Sequence, residues 1–113
     1  MKNKLVSVIV PTKNSSKFLE ICLSSIKAQS HKNTEIIIVD NYSVDSTKKI
    51  AAKYTEKIYD FGPERSAQRN FGGKHAKGYY LYFVDSDFKL ESDVVEQCLI
   101  KIKKGLDAVI VHN

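Results

Sequence analysis

"YFVDSDF", residues 82–88, closes the most apolar run of this chain with two carboxylates separated by one serine. The run itself, "YYLYFV" at 79–84, is apolar at every position. Such runs suit strands buried on both faces, as in a parallel sheet with helices on either side. Asp85 and Asp87 then stand where a strand leaves the core, and two neighbouring like charges call for water or a cation.

Working outward, the same kind of run recurs along the chain. "LVSVIV" (5–10) is closed by Pro11, "EIIIVD" spans 35–40, "EKIYDF" (56–61) is weaker, and "DAVIVH" occupies 107–112. The segments between them have helical period. Phe18, Leu19, Cys22, Leu23 and Ile26 form one stripe, with N-cap candidates in Asn14, Ser15 and Ser16. Val94, Val95, Cys98, Leu99 and Ile102 repeat it. There Ser92 is placed as N-cap, Asp93 falls in the first turn, Lys101, Lys103 and Lys104 in the last, and Gly105 follows as terminator. Residues 45–54 read as a shorter helix, and Pro63 as the first residue of one running to Lys77. Within that helix Gly72 and Gly73 are unfavourable unless the backbone packs closely on the sheet or bends. The alternation predicts an α/β fold: an open, mostly parallel sheet with helices on both faces, with 1–113 as a single domain and the 79–84 run as a central strand.

In open α/β sheets ligands bind beyond the carboxyl ends of the strands. The first strand is followed by Pro11, Thr12, Lys13 and Asn14, the second by Asp40, Asn41, Tyr42, Ser43 and Asp45, and the fourth by Asp85, Ser86 and Asp87. Three strands thus deliver polar groups to one edge. On an extended segment Asp85 and Asp87 would point the same way. Two carboxylates so placed form a hard oxygen site for Mg2+ or Mn2+, its shell completed by waters and phosphate oxygens. The same tripeptide also occurs in solvated turns that lead into helices. Asp40 can accept from a base edge or a ribose hydroxyl, or cap the following turn. Arg65 and Arg69, four apart on one helix face, can hold phosphate or stay solvated.

The net charge of +5 favours anionic partners. Cys22 and Cys98 fall on apolar helical faces and read as core thiols of a reducing compartment. The apolar stretch near the N-terminus is too short for a secretion signal, and no run approaches a membrane span, which places the chain in the cytoplasm. His31, His75 and His112 lack metal-ligand spacing and read as surface residues. No Walker loop, CxxC pair, Ser-His-Asp order or dinucleotide fingerprint is present. A receiver-type signalling domain needs an acid pair after its first strand, where this chain has "PTKN". The tyrosines and Phe83 of the fourth run read as core strand rather than a base-stacking platform, so no nucleic-acid partner is expected.

Three stretches in this order resemble the N-terminal half of a family-2 glycosyltransferase of GT-A fold: "VSVIVPTKN" its opening strand and Pro-Thr-x-Asn loop, "EIIIVDNYSVDST" its second strand and acidic turn, and "RSAQRNFGGKHAKGYYLYFVDSD" its Arg-Asn-x-Gly helix, Gly-aromatic strand and D-x-D motif. The resemblance implies transfer of a sugar, with inversion, from a nucleoside diphosphate donor such as a UDP- or GDP-sugar. It implies that Thr12 and Asp40 hold base and ribose, in loops shaped by Pro11 and Asn14. Arg65 or Arg69 would lie near the uracil or phosphates, Asp85 near ribose or metal, and Asp87 on a Mg2+ or Mn2+ that bridges the diphosphate. Asn41 stands where the family usually has a second acid, and Tyr42 where it has glycine, which should stiffen that turn. Family members carry a further half with the acceptor site and general base. Neither Asp107 nor His112 is placed by an acceptor, so the catalytic residue is unknown. A chain of this length is expected to be the donor-binding portion, or else a non-catalytic nucleotide-sugar-binding or assembly module that needs a partner chain or a homodimer. The acceptor is open between a saccharide and a lipid phosphate, the latter compatible with a basic helix end at a membrane surface.

Overall fold

The computed structural model describes residues 4–103. The expected fifth strand at 107–112, with Asp107 and His112, lies outside them, as do Lys104 and Gly105. The elements alternate: β1 (Val6–Thr12), α1 (Ser16–Lys27), β2 (Thr34–Asp40), α2 (Thr47–Ala51), β3 (Ile58–Asp60), α3 (Arg65–His75), β4 (Tyr80–Phe83) and α4 (Val94–Lys103). The described strands form one sheet in the order β3-β2-β1-β4, and every pairing is parallel.

The β-branched runs of β1 and β2 are buried on both faces, as expected of central parallel strands. Val8, Val10, Ile36 and Ile38 meet Leu19, Cys22, Leu23 and Ile26 of α1, together with Val95 of α4. Ile9, Ile37 and Val39 face the other way, toward Phe71 of α3 and Ala76. Each fully buried Leu or Ile contributes about 1.5–3 kcal/mol of hydrophobic stabilisation. The stripe of α1 is narrower than read. Phe18 is exposed, because it lies about 100° around the helix from Leu19, off the line that Leu19, Cys22, Leu23 and Ile26 share.

Four further expectations are corrected. The apolar run at 79–84 is not a central strand among the described residues. Among them β4 is the outermost strand beside β1; Tyr82 and the following Val84 are buried, while Leu81, Phe83 and the preceding Tyr79 are exposed, since α3 packs chiefly over β1 and β2. Pro63 does not start a helix. It follows Gly62 across a cis peptide, Glu64 is extended, and α3 runs only from Arg65 to His75. Ser92 does not cap α4, which starts at Val94 with the Gln97 N–H on the Asp93 carbonyl at 2.9 Å. His31 is buried, its Nε2 donating to the Lys4 carbonyl at 2.9 Å; His75 is exposed, as read. Gly72 packs closely on the sheet as expected, since a Cβ there would come within 2.5 Å of Ile9 Cγ2. Here α3 lies directly on the sheet. Cys22 is a buried free thiol and Cys98 a half-buried one.

At the N-terminal edge of the sheet, Ser7 and Glu35 are register partners. The Ser7 hydroxyl and Lys57 Nζ both donate to the Glu35 carboxylate, the Lys77 N–H joins at 2.7 Å, and the Gly78 N–H donates to Ser7 Oγ at 2.8 Å. Burial would raise the Glu35 carboxyl, but the bonds from Lys57, Ser7 and Lys77 outweigh it and hold it below its ordinary 4.5. A depressed carboxyl stabilises the fold above its unfolded value and loses that contribution as pH falls through the folded one. Glu35→Gln is therefore expected to lower stability by about 2 kcal/mol at neutral pH. In denaturant titrations followed by circular dichroism, its gap to the unmodified chain narrows as pH drops below 4.5. A gap that stays constant with pH counts against the ionic role.

Candidate functional site

β1 and β2 end side by side, with Thr12 opposite Asp40. Pro11 does not close β1; it sits buried within the strand, opposite Val39. Asp40 is fully buried. It accepts from Thr12 Oγ1 at 2.5 Å, from the Ser43 N–H at 2.7 Å and from Ser43 Oγ at 2.7 Å. Of its two readings, turn capping is the one the contacts display. The effect is to tie the β2–α2 loop to the end of β1.

The β1–α1 and β2–α2 loops are stitched together beyond that point. The Asn14 N–H donates to Ser43 Oγ at 2.7 Å, and the Val44 N–H to Asn14 Oδ1 at 2.9 Å. Lys13 Nζ reaches the Asn41 carbonyl at 2.9 Å, and the Asn41 N–H bonds the Thr12 carbonyl at 2.9 Å. Asn14 and Tyr42 have left-handed backbones, φ 46° and 50°. Asparagine tolerates this region, whereas a bulky aromatic residue rarely enters it. No side chain of Asn14, Ser15 or Ser16 caps α1 as expected. Asp45 of the neighbouring loop does so, accepting from the Ser16 N–H at 3.3 Å and from the Thr47 N–H at 3.0 Å. The hydrogen bond from the Thr47 hydroxyl, ahead of those from Ser16, lowers the Asp45 carboxyl to about 2.

α3 supplies cations to the same edge. Arg65 Nη1 lies 3.7 Å and Arg69 Nη2 3.4 Å from Asp85 Oδ1. The shared helix face predicted for these arginines is therefore real, and both converge on one half-buried carboxylate. Asp85, Ser86 and Asp87 do not form the extended segment expected of them. They sit in a turn closed by the Phe88 N–H on the Asp85 carbonyl at 3.2 Å, with Asp87 exposed. Ser86 Oγ donates to Ser15 Oγ at 2.9 Å, joining this turn to the start of α1. Beneath it the Cys22 thiol faces the Asp85 carbonyl at 3.7 Å; burial raises that thiol to about 12, so it stays a neutral core group.

Sequence reasoning missed Gln68. It is buried, and its Nε2 donates to the carbonyls of Thr12 at 3.0 Å and Val39 at 2.7 Å. One side chain thus ties α3 to the ends of both central strands. The available signal was spacing: Gln68 lies four residues before Gly72, so it shares the face that meets the sheet.

No group of three or more His, Cys, Asp or Glu side chains gathers among the described residues. Asp85 and Asp87 are what the edge offers a cation, and Asp87 is open to solvent. That donor set fits a hard divalent ion which keeps most of its shell for water and phosphate. The arrangement as a whole, two carboxylates, two guanidiniums and backbone-rich loops at a sheet's C-terminal edge, suits a diphosphate ester.

The family model described as glycosyl transferase family 2 matches residues 7–113. The chain belongs to this family. The family-2 chain is 39% identical over 114 residues to the glycosyltransferase GlyA of Streptococcus pneumoniae, covering 96% of itself and 16% of GlyA. It is 34% identical to the putative glycosyltransferase EpsH of Bacillus subtilis, covering 99% of itself and 34% of EpsH. Among solved structures, S. aureus TarS in complex with UDP-GlcNAc superposes with a TM-score of 0.78 at 28% identity, over 96% of this chain and 37% of the other. The chain thus spans about a sixth to two fifths of these relatives. Its α/β architecture is that of GT-A glycosyltransferases.

Proposed function

We propose that this chain is the donor-binding portion of an inverting, metal-dependent glycosyltransferase that takes its sugar from a nucleoside diphosphate. The observation that carries the reading is the convergence of Arg65 and Arg69 on Asp85 at the C-terminal edge, one turn from Asp87. TarS, solved with UDP-GlcNAc, supports a UDP-sugar as the first donor to test, with a GDP-sugar as the alternative.

The geometry supports the following division of labour. Arg65 and Arg69 hold diphosphate oxygens, for which the guanidinium fork is well shaped. Thr12 and Asp40, with Pro11 and Asn14, fix the two loops against which base and ribose lie. Asp85 and Asp87 would hold a Mg2+ or Mn2+, which when bound offsets the charge gathering on the leaving diphosphate. Inversion needs a base to take the acceptor's proton, and we assign none. The acceptor is a saccharide or a lipid phosphate. Among the described residues no helix is long and apolar enough to cross a membrane; we place the reaction in the cytoplasm or at its membrane surface. The apolar outer face of β4, with Tyr79, Leu81 and Phe83 exposed, favours a second reading for the chain by itself: a nucleotide-sugar-binding module that works with a partner chain or as a homodimer.

Isothermal calorimetry tests the donor reading. UDP, UDP-GlcNAc and GDP are titrated into the chain with Mn2+, with Mg2+ and with EDTA. At least one is expected to bind, more tightly with metal. Folded chain that binds none of them under any condition overturns the proposal.

A further inference from the structure

Tyr42 holds a backbone conformation that its side chain disfavours. Its φ of 50° lies in the left-handed region, where the Cβ of an L-residue crowds the following carbonyl and glycine is the natural occupant. Such a conformation persists only where the surroundings impose it, and it clusters at sites that bind or react. The surroundings here do impose it. On one side, Asn41 is pinned through its N–H to Thr12 O at 2.9 Å, through its carbonyl to Lys13 Nζ at 2.9 Å and through Nδ2 to Pro63 O at 3.0 Å. On the other, Ser43 is pinned to both oxygens of the buried Asp40.

None of those bonds uses the side chain of Tyr42, a residue 60% exposed. Hydrophobic burial therefore does not explain the tyrosine, and the turn does not need it. What the loop accomplishes is to present a flat aromatic face, on a rigid mount, directly after the strand that ends in Asp40. Tyr42 follows β2, and β1 lies between β2 and β4 in the sheet. The arginines and the acidic turn lie on the other side, by β4. An aromatic face that stands apart from the phosphate-binding groups, at the same strand-end edge, matches the two ends of a nucleoside diphosphate.

We propose that Tyr42 is the platform on which the donor's nucleobase stacks, held out by a backbone that the bonds of Asn41 and Ser43 impose. The inference rests on the nucleotide-donor reading above. Stacking asks only for a π-face, so Tyr42 strengthens binding of uracil and guanine nucleotides alike and contributes nothing to a ligand without a base.

The test compares Tyr42→Gly, Tyr42→Asn and Tyr42→Phe with the unmodified chain. Calorimetry is run with UDP, GDP and inorganic pyrophosphate, each with Mn2+, alongside thermal melting. Glycine and asparagine both accept a left-handed backbone, so the fold survives in at least one variant without the ring. In Y42G and Y42N, UDP and GDP are expected to bind roughly ten-fold more weakly, pyrophosphate as before, with melting temperatures unchanged or raised. Y42F is expected to keep nucleotide affinity. Unchanged UDP and GDP affinity in Y42G and Y42N overturns the inference. So does a loss that extends equally to pyrophosphate, which would mark a collapsed loop. Unmodified chain that binds pyrophosphate no more weakly than either nucleotide also overturns it. Unmodified chain that binds none of the three ligands removes the donor reading itself, and this inference falls with it.

Discussion

Asp85→Ala is expected to weaken Mn2+-dependent binding of UDP or GDP about a hundred-fold while leaving binding in EDTA undiminished. The carboxylate has two sets of partners. It would ligate the metal, and it already draws Arg65 to 3.7 Å and Arg69 to 3.4 Å. Removing it deletes an anionic ligand, but it also leaves two guanidiniums uncompensated beside the diphosphate. The first effect needs metal. The second favours an anion whether metal is present or not. The two arms of a calorimetric titration therefore move apart, and an equal loss in both would mean that Asp85 acts only by shaping the turn. Stability is expected to change by less than about 1 kcal/mol, because ion pairs this exposed contribute little.

Gln68→Leu should produce the largest loss of stability, about 2–4 kcal/mol, read as an unfolding midpoint lower by roughly 10 °C in a chain of this size. Leucine nearly matches glutamine in volume, so the change isolates the hydrogen bonds from the packing. Gln68 is 4% exposed and serves the carbonyls of Thr12 and Val39. Without the donors, buried acceptors at the ends of β1 and β2 lose a partner where water does not reach. Nucleotide affinity should fall as well, since α3 carries both arginines. An unchanged midpoint would show that α3 is held in place by other means.

Much of this architecture is legible in the residues. The β-branched runs of β1 and β2 are central strands because little else accounts for six consecutive buried positions. The α1 stripe and the polar residues after three strands are equally plain, and the structure brings those residues together at one end of the sheet. What escapes the sequence is context. The run at 79–84 is as apolar as a central strand, yet among the described residues it pairs with β1 alone and α3 packs chiefly over β1 and β2, which leaves Leu81 and Phe83 exposed. Local patterning carries no record of which neighbour covers a face. Pro63 satisfies the rule for a helix start, but the loop binds its carbonyl through Asn41 and delays the helix to Arg65. Position leaves Asp40 open between a ligand role and turn capping, and the bonds it accepts from Thr12 and Ser43 display the capping. Gln68 looks like any polar residue on an amphipathic helix; its burial follows from Gly72, whose missing side chain draws that face onto the sheet.

The two central strands carry a hydroxyl–carboxylate pair at each end of their ladder, Ser7 with Glu35 and Thr12 with Asp40. The pairs lie on opposite faces of the sheet, because their positions differ by an odd number along both strands. Apolar runs such as "VSVIV" and "EIIIV" can pair in several alignments with similar hydrophobic gain. Only one alignment gives both acids their hydroxyls. Sliding β2 by a single residue would turn Glu35 and Asp40 to the wrong faces and press unpartnered carboxylates into apolar cores. The polar residues at the strand ends thus act as a key against misalignment, screening out mispaired sheets that the aliphatic residues between them would accept.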